Sequence, residues 1–198
     1  MTSLRDLVVK NRSYRRFEEN FYIPIEMLEE FVDLTRYGAS GRNAQPLKYI
    51  LSNTAEGNQL IFQSLTWATY LKDWPGPAVG ERPSAYVVML LDKNISEQPL
   101  CDHGIAAQTI LLAAVEKGLG GCILMSIKKD QLREALQIPA SFEILMVIAL
   151  GKPVEQVVIE PLPSNGDFKY WRDEQGVHHV PKRSLNDIIW KKYPKFLE

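Results

Sequence analysis

Residues Asp102–Gly121, DHGIAAQTILLAAVEKGLGG, decide the plan of this chain. From Gly104 to Val115 only Gln108 and Thr109 are polar. Ile105, Leu112 and Leu119 recur at heptad spacing, Ala107, Leu111 and Ala114 line a second face, and Ile110 and Ala113 a third. A segment apolar on nearly every face predicts a buried helix rather than an amphipathic one. Asp102 is placed to cap its N-terminus and to favour the positive end of the helix dipole. Gly118, Gly120 and Gly121 end it. The alanine-rich faces allow close helix approach. That suits the central helix of a one-domain core, or a core helix that also packs against its own copy in a dimer.

Working outward, Ala85–Leu91 (AYVVMLL) and Glu143–Leu150 (EILMVIAL) read as strands buried on both faces. Leu47–Leu51 and Cys122–Met125 read as shorter strands. Helices are expected over Ser3–Lys10, Glu26–Tyr37, Glu56–Leu65 and Ser126–Gln137. In the first, Ser3 can cap and Asp6 sits three residues on; in the second, Leu28, Phe31, Val32 and Thr35 share one face. Beyond Lys152 periodicity fades and Pro153, Pro161, Pro163 and Pro181 break the chain. Tyr170, Trp171, Trp190, Tyr193 and Phe196 nevertheless make this tail too aromatic for disorder. The expectation is one domain over residues 1–198, with 152–198 an extended segment wrapping the domain or a neighbour.

The 198 residues suffice for one sizeable core. With 23 basic and 24 acidic residues the net charge is −1, which gives no electrostatic footprint for nucleic acid or an acidic membrane. The N-terminal MTSLRDLVVKNRS has no signal-peptide apolar core, and no run approaches the ~20 apolar residues that span a bilayer. Two cysteines, Cys101 and Cys122, are too few for a disulfide framework. A cytoplasmic location is expected.

Asn11–Phe17 puts three guanidiniums (Arg12, Arg15, Arg16) and the Ser13 hydroxyl close together. Guanidiniums bind phosphate through paired donors, although the same run also fits a solvated basic turn. Gly38–Pro46 is a loop of small and polar residues, able to approach a ligand closely or simply to link helix to strand. The aromatics of Trp67–Arg82 suit a ligand wall or lid, or a plug at the edge of the core. Lys182 and Arg183, beside the strand-like Val177–Val180, are positioned to close the same anion site as Arg12 and Arg15. Phosphate-binding glycine fingerprints and a G-x-S-x-G elbow are missing from the sequence. His103, His178 and His179 lack metal-ligand spacing, and Cys101, Asp102 and His103 are sequence neighbours whose side chains diverge. No general base stands out, so an enzyme of this sequence would rely on a cofactor.

Taken in order, these pieces resemble the FMN-dependent nitroreductase family. The resemblance rests on Arg12-Ser13-x-Arg15 after the first helix and Ala39–Pro46 after the second. It continues through the apolar helix Ile105–Gly118, the turn Gly118-Leu119-Gly120-Gly121-Cys122, and the closing strand with Lys152-Pro153. The tail from Gly166 to Arg183 resembles a compact subgroup. The family implies an α+β fold, a mixed and mostly antiparallel sheet flanked by helices, and a homodimer with two FMN sites at its interface. Carried over, Ser13 and Lys182 or Arg183 would bind the FMN phosphate, with Arg12 assisting. Arg15 would lie toward the ribityl chain and the N1/O2 edge. Ser40 and Asn43 would face the flavin, Ser40 from the partner subunit, and Gln45 would shape that loop with Pro46. The backbone of Met125 and Ser126 would lie near flavin N5 and O4. No side chain is implied as catalytic, since flavin N5 carries the chemistry, and no metal is implied.

The resemblance further implies an oxidoreductase that passes electrons from NAD(P)H through FMN to a small acceptor, such as a nitroaromatic or quinone, by a ping-pong scheme. A flavin carrier or sensor is the alternative, as is a specialised flavin chemistry such as reductive dehalogenation. Three features depart from the family pattern. Asn11 stands where many members have Arg, Leu47 where many have Trp, and Trp67–Arg82 has no clear counterpart.

Overall fold

The computed structural model describes residues 2–193. The expected Phe196 of the aromatic tail lies outside them. A four-stranded antiparallel sheet runs in the order β1-β2-β4-β3: β1 Leu47–Ser52, β2 Ala85–Asp92, β4 Phe142–Gly151 and β3 Gly120–Leu124. On one face lie α2 (Ile25–Thr35) and α4 (Asp102–Glu116), and on the other α3 (Ala55–Phe62) and α5 (Lys129–Ala135). The architecture is α+β, with a sheet flanked by helices, as the family resemblance implies.

Strand periodicity explains the two layers. Along β2, Ala85, Val87 and Met89 join the core under α2 and α4, whereas Tyr86, Val88 and Leu90 join the core under α3 and α5. All eight β2 residues are buried, which is why the strand reads as an uninterrupted apolar run. The register of β2 on β4 slips between Met89, opposite Met146, and Leu90, opposite Ile144. Leu145 is the extra residue, and it reverses the facing of the strand: Met146 packs under α4 but Ile144 under α5.

The central helix α4 departs from expectation in two ways. It buries Ala106, Ala107, Ile110, Leu111, Ala113 and Ala114, but Gly104, Ile105 and Gln108 are exposed, so it is not enclosed all round within one chain. Its N-cap is Cys101, which makes no side-chain cap bond; the Asp102 carboxylate turns instead toward the loop after α2. Gly118, at φ +76°, takes the chain out of the helix in the left-handed region that suits glycine. Helix α1 (Leu4–Lys10) has the expected Ser3–Asp6 capping box, yet none of its residues is buried and Leu4, Val8 and Val9 are exposed. The helix expected from Ser126 begins only at Lys129, because residues 126–128 pair with 64–66 in extended form. The helix expected over Glu56–Leu65 is Ala55–Phe62, capped by Thr54, whose Oγ1 accepts from Gly57 N at 3.2 Å.

The tail forms a second, three-stranded sheet, β5 (Val157–Pro161), β7 (His178–Lys182) and β6 (Trp171–Arg172), in the order β5-β7-β6, followed by the short α6 (Leu185–Ile188). β5 and β7 are parallel, β6 and β7 antiparallel. Pro153 bridges back to Phe17, which brings this sheet beside the segment after α1. No helix of the described residues is long and apolar enough to cross a membrane.

Candidate functional site

A cavity of about 430 Å³ opens between the segment after α1, strand β3, helix α4 and the tail sheet. That is within the range of about 300–1,000 Å³ typical of small-molecule sites. Arg12, Ser13, Arg15 and Lys182 all line it, joined by Gln108 and Gly121 and roofed by Phe168, Tyr170 and His178. A neighbouring pocket of about 160 Å³ is lined by Met125, Ser126, Thr66 and Thr69. The two share Arg15, Ile123 and Tyr170, so Arg15 stands at their boundary.

The backbone puts these residues there for local reasons. Ser13 pairs in parallel with Gly121, and Tyr14 N donates to Gly121 O at 3.0 Å, so the 11–15 segment extends the edge of the sheet beside β3. Gly121 tolerates no side chain: a Cβ would lie 2.5 Å from Ala149 O and 2.7 Å from a Leu111 methyl. On an extended segment successive side chains diverge. Arg15 therefore points into the cavity, and Arg16 points away to Glu81, with Nε to Oε2 at 2.8 Å. On the other side Thr66 N donates to Ser126 O at 2.9 Å and Lys128 N to Ser64 O at 2.8 Å. This pins Met125, which is 64% exposed, at the mouth of the smaller pocket.

Arg15 is the centre of the site's electrostatics. Only 9% of it is exposed, and no carboxylate pairs with its guanidinium among the described residues. Nη1 donates to Ser13 O at 3.1 Å and lies 3.3 Å from His178 Nε2, and the guanidinium carbon sits 4.7 Å from the Tyr170 ring centre. A guanidinium carries five N–H donors. With two used on Nη1, the Nε–H and the two on Nη2 have no hydrogen-bond partner among the described residues. These free donors open to the cavity, where an anion can complete them with charge-assisted hydrogen bonds. Arg12 contributes a second guanidinium, held by Nη2 donating to Val8 O at 2.7 Å, with its Nε buried and unpartnered. The donor set fits a ligand with a phosphate and a second, electron-rich edge. That is the chemistry of FMN.

The nearby acid is spent elsewhere. Glu155, its side chain 1% exposed, accepts from the backbone N–H of Arg15, from that of Arg16 at 3.2 Å, and from Arg172 Nη2 at 3.0 Å. It anchors the segment and the tail sheet without neutralising the Arg15 guanidinium. His178 is 1% exposed; burial, then Arg15, Arg172 and His179, push its pKa down to about 4, so it is neutral at ordinary pH. His179, on the other face of β7, lies between Asp173 (Nε2 to Oδ2, 3.1 Å) and Glu160 (Nδ1 to Oε1, 2.5 Å), stacked on Trp171, and these hydrogen bonds raise its pKa. Burial raises the Cys122 thiol, which makes it a poor nucleophile. Among the described residues no group of three His, Cys, Asp or Glu side chains is arranged to hold a metal ion.

The sequence-derived residues thus divide. Arg12, Ser13, Arg15 and Lys182 share one cavity, and Met125 and Ser126 line the pocket next to it. Arg183 is exposed and lines neither. Ser40, Asn43 and Gln45 lie in a separate loop beside the N-terminus of α4. Ser40 Oγ donates to Asp102 Oδ2 at 2.6 Å and accepts from Gln45 N at 2.9 Å, while Gly41 N donates to Asp102 Oδ1 at 2.8 Å. Arg42, Asn43 and Gln45 are held at φ +56°, +56° and +52°, an uncommon cluster for residues other than glycine. The sequence reading did not place Thr66, Thr69, Tyr170 or His178 at the site; two lie in or beside an irregular loop and two in the tail, where no periodicity points. The Trp67–Arg82 segment plugs the edge of the core through Trp67. Trp67, 5% exposed, packs near Phe62 as a plug, and Tyr70 reaches out to Phe168 and Tyr170.

The fold is layered α+β, with a cation-lined cavity beside Gln108 and Leu111, midway along the apolar central helix. The chain belongs to the nitroreductase family, whose model matches residues 8–152. A protein of Methanothermobacter thermautotrophicus named "Putative NADH dehydrogenase/NAD(P)H nitroreductase" is 25% identical over 157 residues, covering 76% of this chain and 77% of its own. Among solved structures, a nitroreductase family protein from Clostridium novyi NT superposes with a TM-score of 0.64 at 19% identity, covering 93% of this chain and 98% of its own. An FMN-dependent nitroreductase from Clostridium difficile R20291 superposes with a TM-score of 0.59 at 21% identity, covering 76% and 87%. Family membership and that relative support FMN as the cofactor.

Proposed function

We propose that this protein is an FMN-dependent oxidoreductase that moves electrons from NAD(P)H to a small acceptor, such as a nitroaromatic or a quinone, with donor and acceptor using the same face in turn. The carrying observation is Arg15: a nearly buried guanidinium, free of any carboxylate among the described residues, between two pockets. Bound FMN supplies hydride acceptance and release at its N5. The chain's own residues bind and polarise it. Ser13, Arg12 and Lys182 would hold its phosphate, Arg15 would stabilise negative charge on the reduced flavin, and Met125 and Ser126 would border the ring system. No side chain is assigned as acid or base.

The proposal includes a homodimer. Leu4, Val8 and Val9 of α1 and Ile105 of α4 favour it, since one chain leaves these apolar side chains exposed. So does the 38–46 loop, whose Ser40, Asn43 and Gln45 sit apart from their own chain's cavity and would complete the partner's. A monomer by light scattering at micromolar concentration would overturn this part. Residues 152–193 belong to the same domain as the sheet. Free Cys101 and Cys122 suit a reducing compartment such as the cytoplasm. The test of the reaction is steady-state kinetics with NADH and NADPH against nitroaromatic and quinone acceptors. Parallel double-reciprocal lines support the scheme. No oxidation of either nucleotide with FMN and any such acceptor refutes it, and FMN that binds but is never reduced points to a carrier or sensor.

A further inference from the structure

We propose that His178 is a positioning residue for Arg15: its imidazole accepts from Nη1 and, with the Tyr170 ring against the guanidinium, fixes the free N–H groups toward the bound anion. The inference rests on the reading that the cavity holds FMN. It extends that reading to the tail, since residues 168–182 lie outside the stretch that the family model matches.

Few groups hold the Arg15 side chain. Glu155 contacts only its backbone N–H, and its side chain has one other directional contact, Ser13 O at 3.1 Å. The remaining neighbours are His178 Nε2 at 3.3 Å and the Tyr170 ring at 4.7 Å. A guanidinium only donates, so Nε2 must offer its lone pair and the ring proton must sit on Nδ1. The tautomer is therefore set by Arg15. Nδ1 is buried and has no partner among the described residues, so nothing else competes to set it.

The imidazole is itself held in place. Tyr170 lies 5.1 Å from its ring centre, which makes Tyr170, His178 and Arg15 one packed group. His178 N donates to Gln156 O at 2.8 Å, and Arg172, paired across β6 and β7, is tied to Glu155. The groups facing the imidazole are thus Arg15 and Arg172, with Glu155 behind both, Tyr170 on its face and His179 next in the strand. Burial and then the two guanidiniums keep it uncharged, so one ring nitrogen keeps a lone pair able to accept from Nη1. A protonated ring would turn the contact into a repulsion between two cations.

The test compares His178→Phe, which keeps a ring against Tyr170 and removes the acceptor, with His178→Gln, whose side-chain carbonyl can replace Nε2. Two quantities are read on the holoprotein: FMN affinity by fluorescence quenching and the two-electron midpoint potential. For His178→Phe the expected result is a roughly tenfold loss in the preference for reduced over oxidised FMN, equal to a fall of about 30 mV for a two-electron couple. His178→Gln is expected to stay within about threefold of wild type, because its carbonyl keeps an acceptor for Nη1. A folded His178→Phe protein with wild-type affinity and potential overturns the proposal. So does a His178→Gln protein that falls as far as His178→Phe, since that marks a purely structural ring. Nitrogen NMR of the wild-type histidine decides it without a variant: a proton on Nδ1 and a bare Nε2 are expected, and a proton on Nε2 refutes the contact. Wild-type protein that binds no FMN would sink the cofactor reading instead, while the NMR result would still report on the Arg15 contact.

Discussion

Replacing Glu155 with alanine should be among the most damaging single changes outside the sheet core. Its carboxylate is 1% exposed and serves three donors: the backbone N–H groups of Arg15 and Arg16, and Arg172 Nη2 at 3.0 Å. A buried donor left without an acceptor costs about 1–3 kcal/mol, and breaking a buried ion pair by removing one partner costs about 3–5 kcal/mol. Arg172 is 16% exposed and the Arg16 N–H is only part-buried, so water can recover some of the loss. The expected destabilisation is therefore about 3–5 kcal/mol rather than the sum of all three. For a chain of this size that corresponds to a fall in Tm of roughly 6–20 °C. Glu155→Gln keeps acceptor oxygen while removing charge and should lose clearly less. The assay is urea unfolding of both variants beside wild type at one fixed protein concentration, because any dimerisation adds to apparent stability. A loss under about 1 kcal/mol for Glu155→Ala would refute the idea that this carboxylate ties the 15–16 segment to the tail sheet.

Arg15→Ala should weaken FMN binding by about 10- to 100-fold, from the loss of one or two charge-assisted hydrogen bonds of about 1.5–3 kcal/mol each, reduced by relaxation. Arg16→Ala should change it less than about threefold, because Arg16 is engaged with Glu81; equal losses in a fluorescence titration would disprove the facing of this segment. Gly121→Val should destabilise by at least about 1–3 kcal/mol as an overpacking change, since even a Cβ meets Ala149 O at 2.5 Å; a wild-type unfolding midpoint would contradict that packing. The His179 pKa is raised by Asp173 and Glu160, so its contribution to stability is complete below the ordinary histidine value near 6.5 and is lost as pH rises through the higher folded value. His179→Gln should flatten that alkaline decline, and an NMR titration placing His179 at or below 6.5 would refute the clamp.

The sheet core was legible because β2 and β4 are buried on both faces, so their apolar runs needed no periodicity to stand out. Even the reversal at Leu145 leaves the composition of β4 unchanged, which is why the sequence marked the strand but not its bulge. Burial of α4 was overread for a related reason: an apolar exposed stripe at Ile105 looks the same in sequence whether it faces its own core or a partner. Asp102 sits where a cap belongs, yet its carboxylate holds Ser40 and Gly41, a choice made by a loop about sixty residues away. Arg12 and Arg15 were visible as cations close in sequence. What sorted them was backbone alternation, which turns Arg15 in and Arg16 out. Tyr170, His178 and Glu155 were hidden because the tail reaches the site through long-range pairing, β5 with β7 across about twenty residues and Glu155 N-terminal to both. No local pattern encodes such a contact.

The most direct measurement is the visible absorption spectrum of the freshly purified protein, taken before and after anaerobic addition of NADPH, then repeated with NADH. Flavin bands that bleach are predicted, with colour returning when a nitroaromatic or quinone is admitted. A colourless protein that takes up no added FMN would contradict the account at its centre, because the unpaired Arg15 guanidinium would then be completed by something other than a flavin.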